Sequence, residues 1–260
     1  MVETATVGYA LGSLGMFAGI VMWWVLWSAD DVDSDRGAFR WLAIIPVAAF
    51  VAYVLMTLEL GTITVDGVTV PVPRYVDWLV TTPVLVGYVA YVAGVPRRYV
   101  IGTVAVDVAM IVIGWGGVVT TGTTRAVAFG LSSLCYVGLL VALYGVFPDY
   151  AAEQSGVRQR LFEVLQNHVG LLWVAYPVVW AAGPLGVGAI TTLGVTLLVT
   201  FMDVMAKTPY VYFVYVHRSA FGERTTDAAG ESGVGGPADS PGTTAGDGAR
   251  AGRTSGGGAR

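Results

Sequence analysis

The amino-acid sequence predicts an all-α membrane protein, a bundle of seven transmembrane helices. Hydrophobic residues make up 55% of the 260 residues and charged residues only 12%, whereas about a quarter of the residues in a soluble domain are charged. The mean hydropathy is +0.68. The apolar residues are also grouped into windows of about 20, the length that an α-helix needs to cross the hydrocarbon core of a bilayer.

Seven such windows follow one another along the chain. We place them at residues 5–28, 39–60, 73–94, 99–119, 125–147, 158–182 and 188–217. Between the second and third windows, residues 62–70 alternate between apolar and polar side chains around Asp66-Gly67. An Asp-Gly pair between two alternating runs predicts a β-hairpin, which we interpret as a compact loop and not as a binding element.

The arginines predict how the bundle is oriented, because positively charged loops stay on the cytoplasmic side of a membrane. Seven of them fall in the first, third and fifth loops or just after the seventh span, namely Arg36, Arg40, Arg97, Arg98, Arg158, Arg160 and Arg218. The opposite side offers Arg125. We therefore expect a multi-pass protein of the cell membrane with its N-terminus outside and its C-terminus in the cytoplasm. No basic segment with a cleavage site precedes the first span, which we interpret as retained.

The chain divides into a transmembrane domain, residues 1–218, and a tail, residues 219–260. From about Gly222 the tail consists mostly of Gly, Ala, Ser, Thr and Asp. Such a segment cannot bury enough apolar surface to offset its conformational entropy, which predicts a disordered cytoplasmic tail. The single cysteine, Cys135, excludes an intramolecular disulfide and a cysteine metal cluster. We expect no metal site, no enzymatic activity and no nucleic-acid partner.

Lys207 is the only lysine of the chain, and it lies inside the apolar seventh window. A charged side chain at membrane depth costs about 3 kcal/mol on insertion scales, so such residues are rare and usually functional. Asp203 comes four residues earlier, which places both side chains on one helix face. Two interpretations remain open at this point, a structural ion pair and a reactive amine with its counterion.

The third window carries a polar stripe that is expected to meet this pair. Arg74, Asp77 and Thr81 follow the spacing i, i+3, i+7, and Tyr88 returns to nearly the same face about 16 Å further along the helix axis. Acids and bases from the two windows can then compensate one another. A buried amine in such a cluster can attack a carbonyl and form a Schiff base, for which carboxylates would be the counterions.

Aromatic residues are concentrated around this predicted cluster. Trp78 adjoins Asp77, Tyr53 lies in the second window, and the sixth window carries three rings at i, i+3, i+7, which are Trp173, Tyr176 and Trp180. Rings in these positions could enclose a long, flat, apolar ligand. The alternative is ordinary aromatic packing between helices or at the membrane interface.

Three long motifs in three different windows resemble the microbial rhodopsins of archaea. They are RYVDWLVTTP at 74–83, WVAYPVVW at 173–180 and MDVMAKTPY at 202–210, in the order that the family keeps. The resemblance covers all seven windows and implies a bacteriorhodopsin-like fold. It also implies that all-trans retinal is bound to Lys207 as a protonated Schiff base.

The same resemblance implies a role for each matching position. Asp77 corresponds to the primary counterion, and Asp203 and Arg74 complete the counterion cluster. The chromophore pocket is expected to be lined by the remaining candidates, Tyr53, Trp78, Thr81, Met110, Trp173, Tyr176 and Trp180.

Further features resemble sensory rhodopsin I more than the proton pumps. The pumps carry a carboxylic acid where this chain has Tyr88, and a phenol holds its proton far more tightly. The glutamates that release protons in pumps are missing from residues 183–195, while QNHVGLLW at 166–173 and AKTPYVYFVY at 206–215 match the sensor. The resemblance therefore implies a phototaxis receptor that signals through a membrane-embedded transducer of the methyl-accepting type. Formation of a homo-oligomer stays open.

Two further titratable residues have competing interpretations. His168, which we place in the first turns of the sixth helix, is either a packing residue or the group that couples the photoactive site to helix movement. Asp107 in the fourth window is expected to be a hydrogen-bonded acid beside the ligand that tunes colour at most. On the sensor hypothesis, light isomerises retinal, the charge pairing changes, and helices six and seven tilt at their cytoplasmic ends, with Pro177 and Pro209 as hinge points.

Two other functions remain open from the sequence. One is an outward proton pump with a slow cycle, which would use the same pocket. The other is a transporter in which Lys207 and Asp203 form a purely structural pair.

Overall fold

The computed structural model describes residues 2–29 and 36–221. Within these residues the chain forms seven helical rods and one small sheet. The rods are α1 (Val2–Trp27); α2 (Arg36–Arg40), which continues through a 3-10 turn (Trp41–Ala43) into α3 (Ile44–Thr57); α4 (Val72–Ala93); α5 (Arg97–Val119); α6 (Gly122–Val141), which continues through a π-helical segment (Ala142–Val146) into α7 (Phe147–Ala151); α8 (Gly156–Leu172) followed by α9 (Ala175–Ala182); and α10 (Thr192–Val216). The seven predicted helices are confirmed.

Five rods are long and apolar enough to cross a membrane, and two are not by the same measure. The five are Thr4–Trp27, Val72–Ala93, Arg97–Val119, Gly122–Ala151 and Thr192–Val216. In the second rod the apolar stretch, Trp41–Thr57, is shorter. The sixth rod is interrupted at Trp173 and Val174, which form a turn between α8 and α9. Pro177 explains this break, because it has no N–H to donate to the carbonyl of Trp173 one turn earlier.

The rods form a closed bundle in which neighbours along the chain are also neighbours in space. α1 packs on α3 and α10, α3 on α4, α4 on α5 and α8, and α5 on α6, while α8 packs on α10. The first and last helices are therefore adjacent. The main hydrophobic core includes fully buried side chains of α4, α8 and α10, such as Val89, Leu165 and Tyr210. These three helices contribute to both the core and the polar site.

One end of the bundle, which we name the hairpin end, carries the predicted β-hairpin. β1 (Thr62–Val65) pairs antiparallel with β2 (Val68–Pro71), with Val65 opposite Val68. The two loop residues, Asp66 and Gly67, have φ values of +50° and +75°, the left-handed conformation of a tight hairpin turn. Arg125 at the start of α6 binds Asp66 at 2.8 Å and the carbonyls of Gly117 and Leu185 at 3.2 and 3.4 Å, so one side chain joins three connections.

The opposite end, which we name the arginine-rich end, is held by Arg158 at the start of α8. Its guanidinium donates to the carbonyls of Val92 and Tyr91 at 2.7 and 2.6 Å. These carbonyls belong to the last turn of α4, which ends at Gly94 in the left-handed conformation with φ of +76°. The same guanidinium lies 5.8 Å from the ring of Phe221, which is 2% exposed. Arg158 therefore connects α4, α8 and the segment after α10.

The chain after α10 continues as a 3-10 turn, Arg218–Phe221. This turn begins at residue 218, where we predicted the boundary between the transmembrane domain and the tail. The rest of the predicted tail, from residue 222 onward, lies outside the described residues.

Candidate ligand-binding site

Lys207 lies on α10 in the interior of the bundle, where it is 1% exposed. Its Nζ forms an ion pair with Oδ2 of Asp77, which is 2% exposed and lies on α4. A buried charge pair of this kind is favourable only when both charges are well placed, because each has lost its hydration. The sequence offered two partners, Asp203 through its spacing on the same helix and Asp77 through the family resemblance. The ion pair in the structure is with Asp77 on the facing helix.

Asp203 is fully buried and is held by neutral hydrogen-bond donors. Its Oδ2 accepts from the hydroxyl of Tyr53 at 2.7 Å, and its Oδ1 accepts from the hydroxyl of Tyr176 at 2.7 Å and from Nε1 of Trp78 at 3.0 Å. The donors come from α3, α9 and α4, so this carboxylate connects three helices to α10. Tyr53 thus acts on the site through Asp203 and does not line the cavity described below.

Arg74, Asp77 and Thr81 share one face of α4, as the spacing predicted. The guanidinium of Arg74 is buried at 6% exposure and lies 5.6 Å from the ring centre of Tyr9. Thr81 donates to the backbone carbonyl of Asp77 at 2.9 Å. Nε and Nη2 of Arg74 and Oδ1 of Asp77 are buried without a hydrogen-bond partner among the described residues. Such groups require a polar partner, for example ordered water.

A cavity of about 160 Å³ lies next to Lys207 and is lined by residues of α4, α5, α6, α9 and α10. Eight of the predicted site residues line it, namely Arg74, Trp78, Met110, Trp173, Tyr176, Trp180, Asp203 and Lys207. The amine therefore stands at the wall of a space that extends across the bundle to α5 and α6. Asp77 and Thr81 do not line the cavity. Asp77 is connected to it through its ion pair with Lys207.

Aromatic rings pack against one another around the cavity. Trp78 and Tyr176 meet edge to face with ring centres 5.3 Å apart, while Trp180 stacks on Phe129 at 4.6 Å. Such packed rings have few alternative rotamers. The walls of the cavity are therefore mostly apolar and rigid. The charged residues that line it are Arg74, Asp203 and Lys207.

Several lining residues were missed by the sequence reasoning, and seven of them lie on α5 and α6. They include Ile111, Gly114, Trp115, Phe129, Ser132, Ser133 and Tyr136. These helices carry no motif, but the pair Ser132-Ser133 inside an apolar window was a usable signal. Ser132 donates to the carbonyl of Met110 at 2.8 Å, so its hydroxyl joins α6 to α5 at the cavity.

Asp107 lies on α5 and is fully buried. Its Oδ2 accepts a hydrogen bond from Thr82 at 2.8 Å, and Thr82 itself lines the cavity. The expectation of a hydrogen-bonded acid beside the ligand site agrees with this geometry.

His168 lies deeper in the bundle than we predicted. It is the thirteenth residue of α8, close to the break at Trp173, and not in the first turns of the helix. Its Nε2 is 3.1 Å from the carbonyl oxygen of Ala206, the residue before Lys207. The imidazole therefore joins α8 to α10 beside the lysine. Its ring also packs on Phe213 with centres 5.2 Å apart.

Tyr88 lies on α4 between the cavity and the arginine-rich end, and it does not line the cavity. It is 5% exposed, and its ring packs near Tyr91, Tyr210 and Phe221 with centres 5.8–6.3 Å apart. Tyr88 is thus part of an aromatic cluster.

Comparison with protein families places the whole helical domain in one family. Residues 3–220 match the family model described as bacteriorhodopsin-like protein. The chain is 45% identical to Sensory rhodopsin-1 of Halobacterium salinarum over 222 residues, which are 84% of this chain and 91% of that protein. It is 31% identical to Sensory rhodopsin-2 of Natronomonas pharaonis, covering 76% of this chain and 82% of that protein.

Solved structures of microbial rhodopsins have the same fold. Cyanorhodopsin from Calothrix sp. NIES-2098 superposes with a TM-score of 0.80 at 26% identity, covering 85% of this chain and 97% of that one. The thermophilic rhodopsin of Rubrobacter xylanophilus gives 0.78 at 28% identity, covering 84% and 97%. The seven rods, the buried lysine and these similarities lead to one conclusion, that the chain belongs to the bacteriorhodopsin-like family.

Proposed function

We propose that this protein is a retinal-binding light receptor of the cell membrane that signals for phototaxis through a membrane transducer. The observation that carries the proposal is the position of Lys207, whose amine is buried at the wall of an aromatic cavity and paired with a carboxylate. Its extensive identity to sensory rhodopsins supports a sensory photoreceptor over the proton pump.

The residues present fit retinal as the ligand of this cavity. Retinal supplies an aldehyde that condenses with a lysine amine and a polyene that absorbs visible light and isomerises. The chain contains one lysine, and that lysine faces the cavity. Trp78, Trp173, Tyr176 and Trp180 provide flat apolar walls, which hold and orient an extended apolar molecule and exclude water.

The two carboxylates near the lysine, Asp77 and Asp203, have different roles in this proposal. Asp77 carries the negative charge that balances the nitrogen of Lys207. Asp203 keeps Trp78 and Tyr176 in position through hydrogen bonds of 3.0 and 2.7 Å. We propose that a shift of positive charge away from Asp77 is the change to which the helices respond. The carboxylate of Asp77 would then lose its counter-charge, and its Oδ1 has no hydrogen-bond partner among the described residues.

His168 provides a direct path from the lysine to α8. Its Nε2 contacts the carbonyl oxygen of Ala206 at 3.1 Å, so displacement of α10 at Lys207 acts on α8 at once. Pro209 adds to this, because it leaves the carbonyl of Met205 without its helical N–H donor. We propose that the response is a tilt of α8 and α10 at the arginine-rich end, which is the cytoplasmic end by the positive-inside rule.

Tyr88 supports the sensor over the pump. A pump needs a group between the cavity and the cytoplasm that gives up its proton readily, and a phenol does so far less readily than a carboxylic acid. Tyr88 is also buried, at 5% exposure, among other aromatic rings. Slow return of a proton would give a long-lived signalling state, which suits an output to a transducer of the methyl-accepting type.

Reconstitution with all-trans retinal tests the proposal. We expect the purified protein to form a visible absorption band that Lys207→Ala abolishes. The matched control is Thr208→Ala, because Thr208 does not line the cavity and donates to the carbonyl of Gly15 at 2.8 Å. A colourless wild type, or equal colour in Lys207→Ala, would overturn the proposal and leave a structural ion pair.

Flash spectroscopy and light-driven pH change then separate the sensor from the pump. A photocycle that decays over seconds, without sustained acidification by cells that lack a transducer, is expected for the sensor. Decay in milliseconds with rapid and sustained acidification would show that the protein is a pump.

A further inference from the structure

A second cavity, of about 200 Å³, opens between α5 and α6 near the arginine-rich end. We name it the α5–α6 cleft, and its lining residues are Arg98, Tyr99, Gly102, Thr103, Val106, Gly138, Leu139 and Ala142. None of them lines the cavity at Lys207. The cleft is therefore separate from the photoreceptor site.

Two glycines create the cleft. A Cβ atom at Gly102 would meet no atom within 4 Å, and one at Gly138 would meet only Cγ1 of Val106 at 3.8 Å. Any larger side chain at Gly102 or Gly138 would thus extend into the cleft and fill part of it. The floor consists of the buried side chains of Thr103 and Leu139, at 8% and 1% exposure. From Arg98 to Val106 the cleft runs about 12 Å along α5, at 1.5 Å for each residue.

A positive charge stands at one end of this apolar cleft. The guanidinium of Arg98 lies 4.9 Å from the ring centre of Tyr99 and is 3.5 Å from its hydroxyl, a long hydrogen bond. No carboxylate lies within ion-pair distance of Arg98 in the described parts of the chain. The planar guanidinium matches phosphate oxygens well, and the phenol adds a second donor.

We propose that the α5–α6 cleft binds one anionic phospholipid. Its phosphate is held by Arg98 and the hydroxyl of Tyr99, and one acyl chain lies over Gly102 and Gly138. The charge argues for this occupant, because a neutral apolar helix or a second copy of α5 and α6 would not supply a counter-charge to Arg98. The cleft is also too shallow for a helix, since its open space comes from two missing side chains.

Native mass spectrometry of the detergent-purified protein tests this site. The protein is mixed with phosphatidylglycerol or with the zwitterionic phosphatidylcholine, and bound lipid is counted. We expect one tightly retained phosphatidylglycerol on the wild type. Arg98→Gln should lower its occupancy about fivefold, the factor expected for loss of one arginine near a lipid phosphate. Arg97→Gln is the matched control, because Arg97 is adjacent and does not line the cleft.

A second pair of variants tests the path of the acyl chain. Gly138→Leu fills the cleft and should abolish retention of phosphatidylglycerol. Gly130→Leu on the same helix should not, because a Cβ atom at Gly130 meets no atom within 4 Å and Gly130 lies outside the cleft. Equal loss in Arg97→Gln and Arg98→Gln, or full retention in Gly138→Leu, would overturn the proposal. So would a bound mass equal to a second protein chain. None of these readouts uses retinal, so they are independent of the proposed photoreceptor function.

Discussion

The α4 side and the α10 side of the lysine site each contribute one buried carboxylate, and the two are held differently. Asp203 on α10 accepts three hydrogen bonds from the neutral donors Tyr53, Trp78 and Tyr176. Asp77 on α4 has the charged Lys207 on one oxygen and no partner in the described residues on the other. Asp77 and Asp203 are therefore similarly buried, but their hydrogen-bonding and charge environments differ. We propose that Asp203 holds the surrounding helices in place and that Asp77 carries the charge that can be redistributed.

The largest loss of stability should come from removing the negative charge of Asp77 on the α4 side. In the retinal-free protein, Asp77→Asn leaves the ammonium of Lys207 buried without a counter-charge, which should cost about 3–5 kcal/mol of unfolding free energy. Denaturant unfolding in detergent, followed by tryptophan fluorescence, measures this loss.

The double variant Asp77→Asn with Lys207→Met is the control for this effect. It removes both charges, so most of the lost stability should return. If the double variant is as unstable as the single one, the loss comes from packing at Asp77 and not from the unpaired charge.

A smaller effect is expected on the α10 side. Asp203→Asn keeps one carbonyl oxygen as acceptor and replaces the other by an amide donor, which faces a donor hydroxyl. At least one buried donor then loses its acceptor, at a cost of about 1–3 kcal/mol. Tyr53→Phe removes one donor and leaves Asp203 with two, so the combined variant should be less destabilised than the sum of the single ones.

The same unfolding measurement sharpens the comparison. If Lys207→Met relieves the defect of Asp203→Asn as strongly as that of Asp77→Asn, the two carboxylates share the lysine. The division between a fixed and a redistributable carboxylate would then be wrong.

The smallest effect is expected at the third buried acid, Asp107. Asp107→Asn can still accept the hydrogen bond from Thr82, and a hydrogen bond between transmembrane helices contributes about 0.6 kcal/mol on average. We expect a change of that size or less in stability, with the retinal band retained. A loss of several kcal/mol would mean that Asp107 carries a charge in the folded protein.

The sequence predicted the rods and the hairpin because these depend on local patterns. Hydropathy windows of membrane length located the helices, and Asp66-Gly67 located the turn, since few residues adopt positive φ so readily. It also predicted that the few buried charges would converge, because isolated charges in a membrane protein are costly. Helix spacing alone could not decide between Asp77 and Asp203 as the partner of Lys207, since that choice depends on how closely α4 approaches α10, and Asp77 was expected through the family resemblance.

The two prolines show a second limit of local reasoning. Pro177 and Pro209 both lie inside predicted spans, yet the helix is interrupted before Pro177 and continuous through Pro209. The difference depends on packing partners that the sequence does not reveal. The depth of His168 and the lining residues on α5 and α6 were missed for the same reason, because helix ends and helix rotation are set by tertiary contacts.

Arg158 at the arginine-rich end sets a threshold for any outward swing of α8. Such a swing has to break two short bonds to the end of α4, and hydrogen bonds from a charged group contribute about 1.5–3 kcal/mol each. Thermal energy alone would then populate the swung state less than about once in a hundred molecules. A receptor held by these two hydrogen bonds stays in its inactive conformation in the dark. Spontaneous signalling without light becomes rarer as the bonds become stronger.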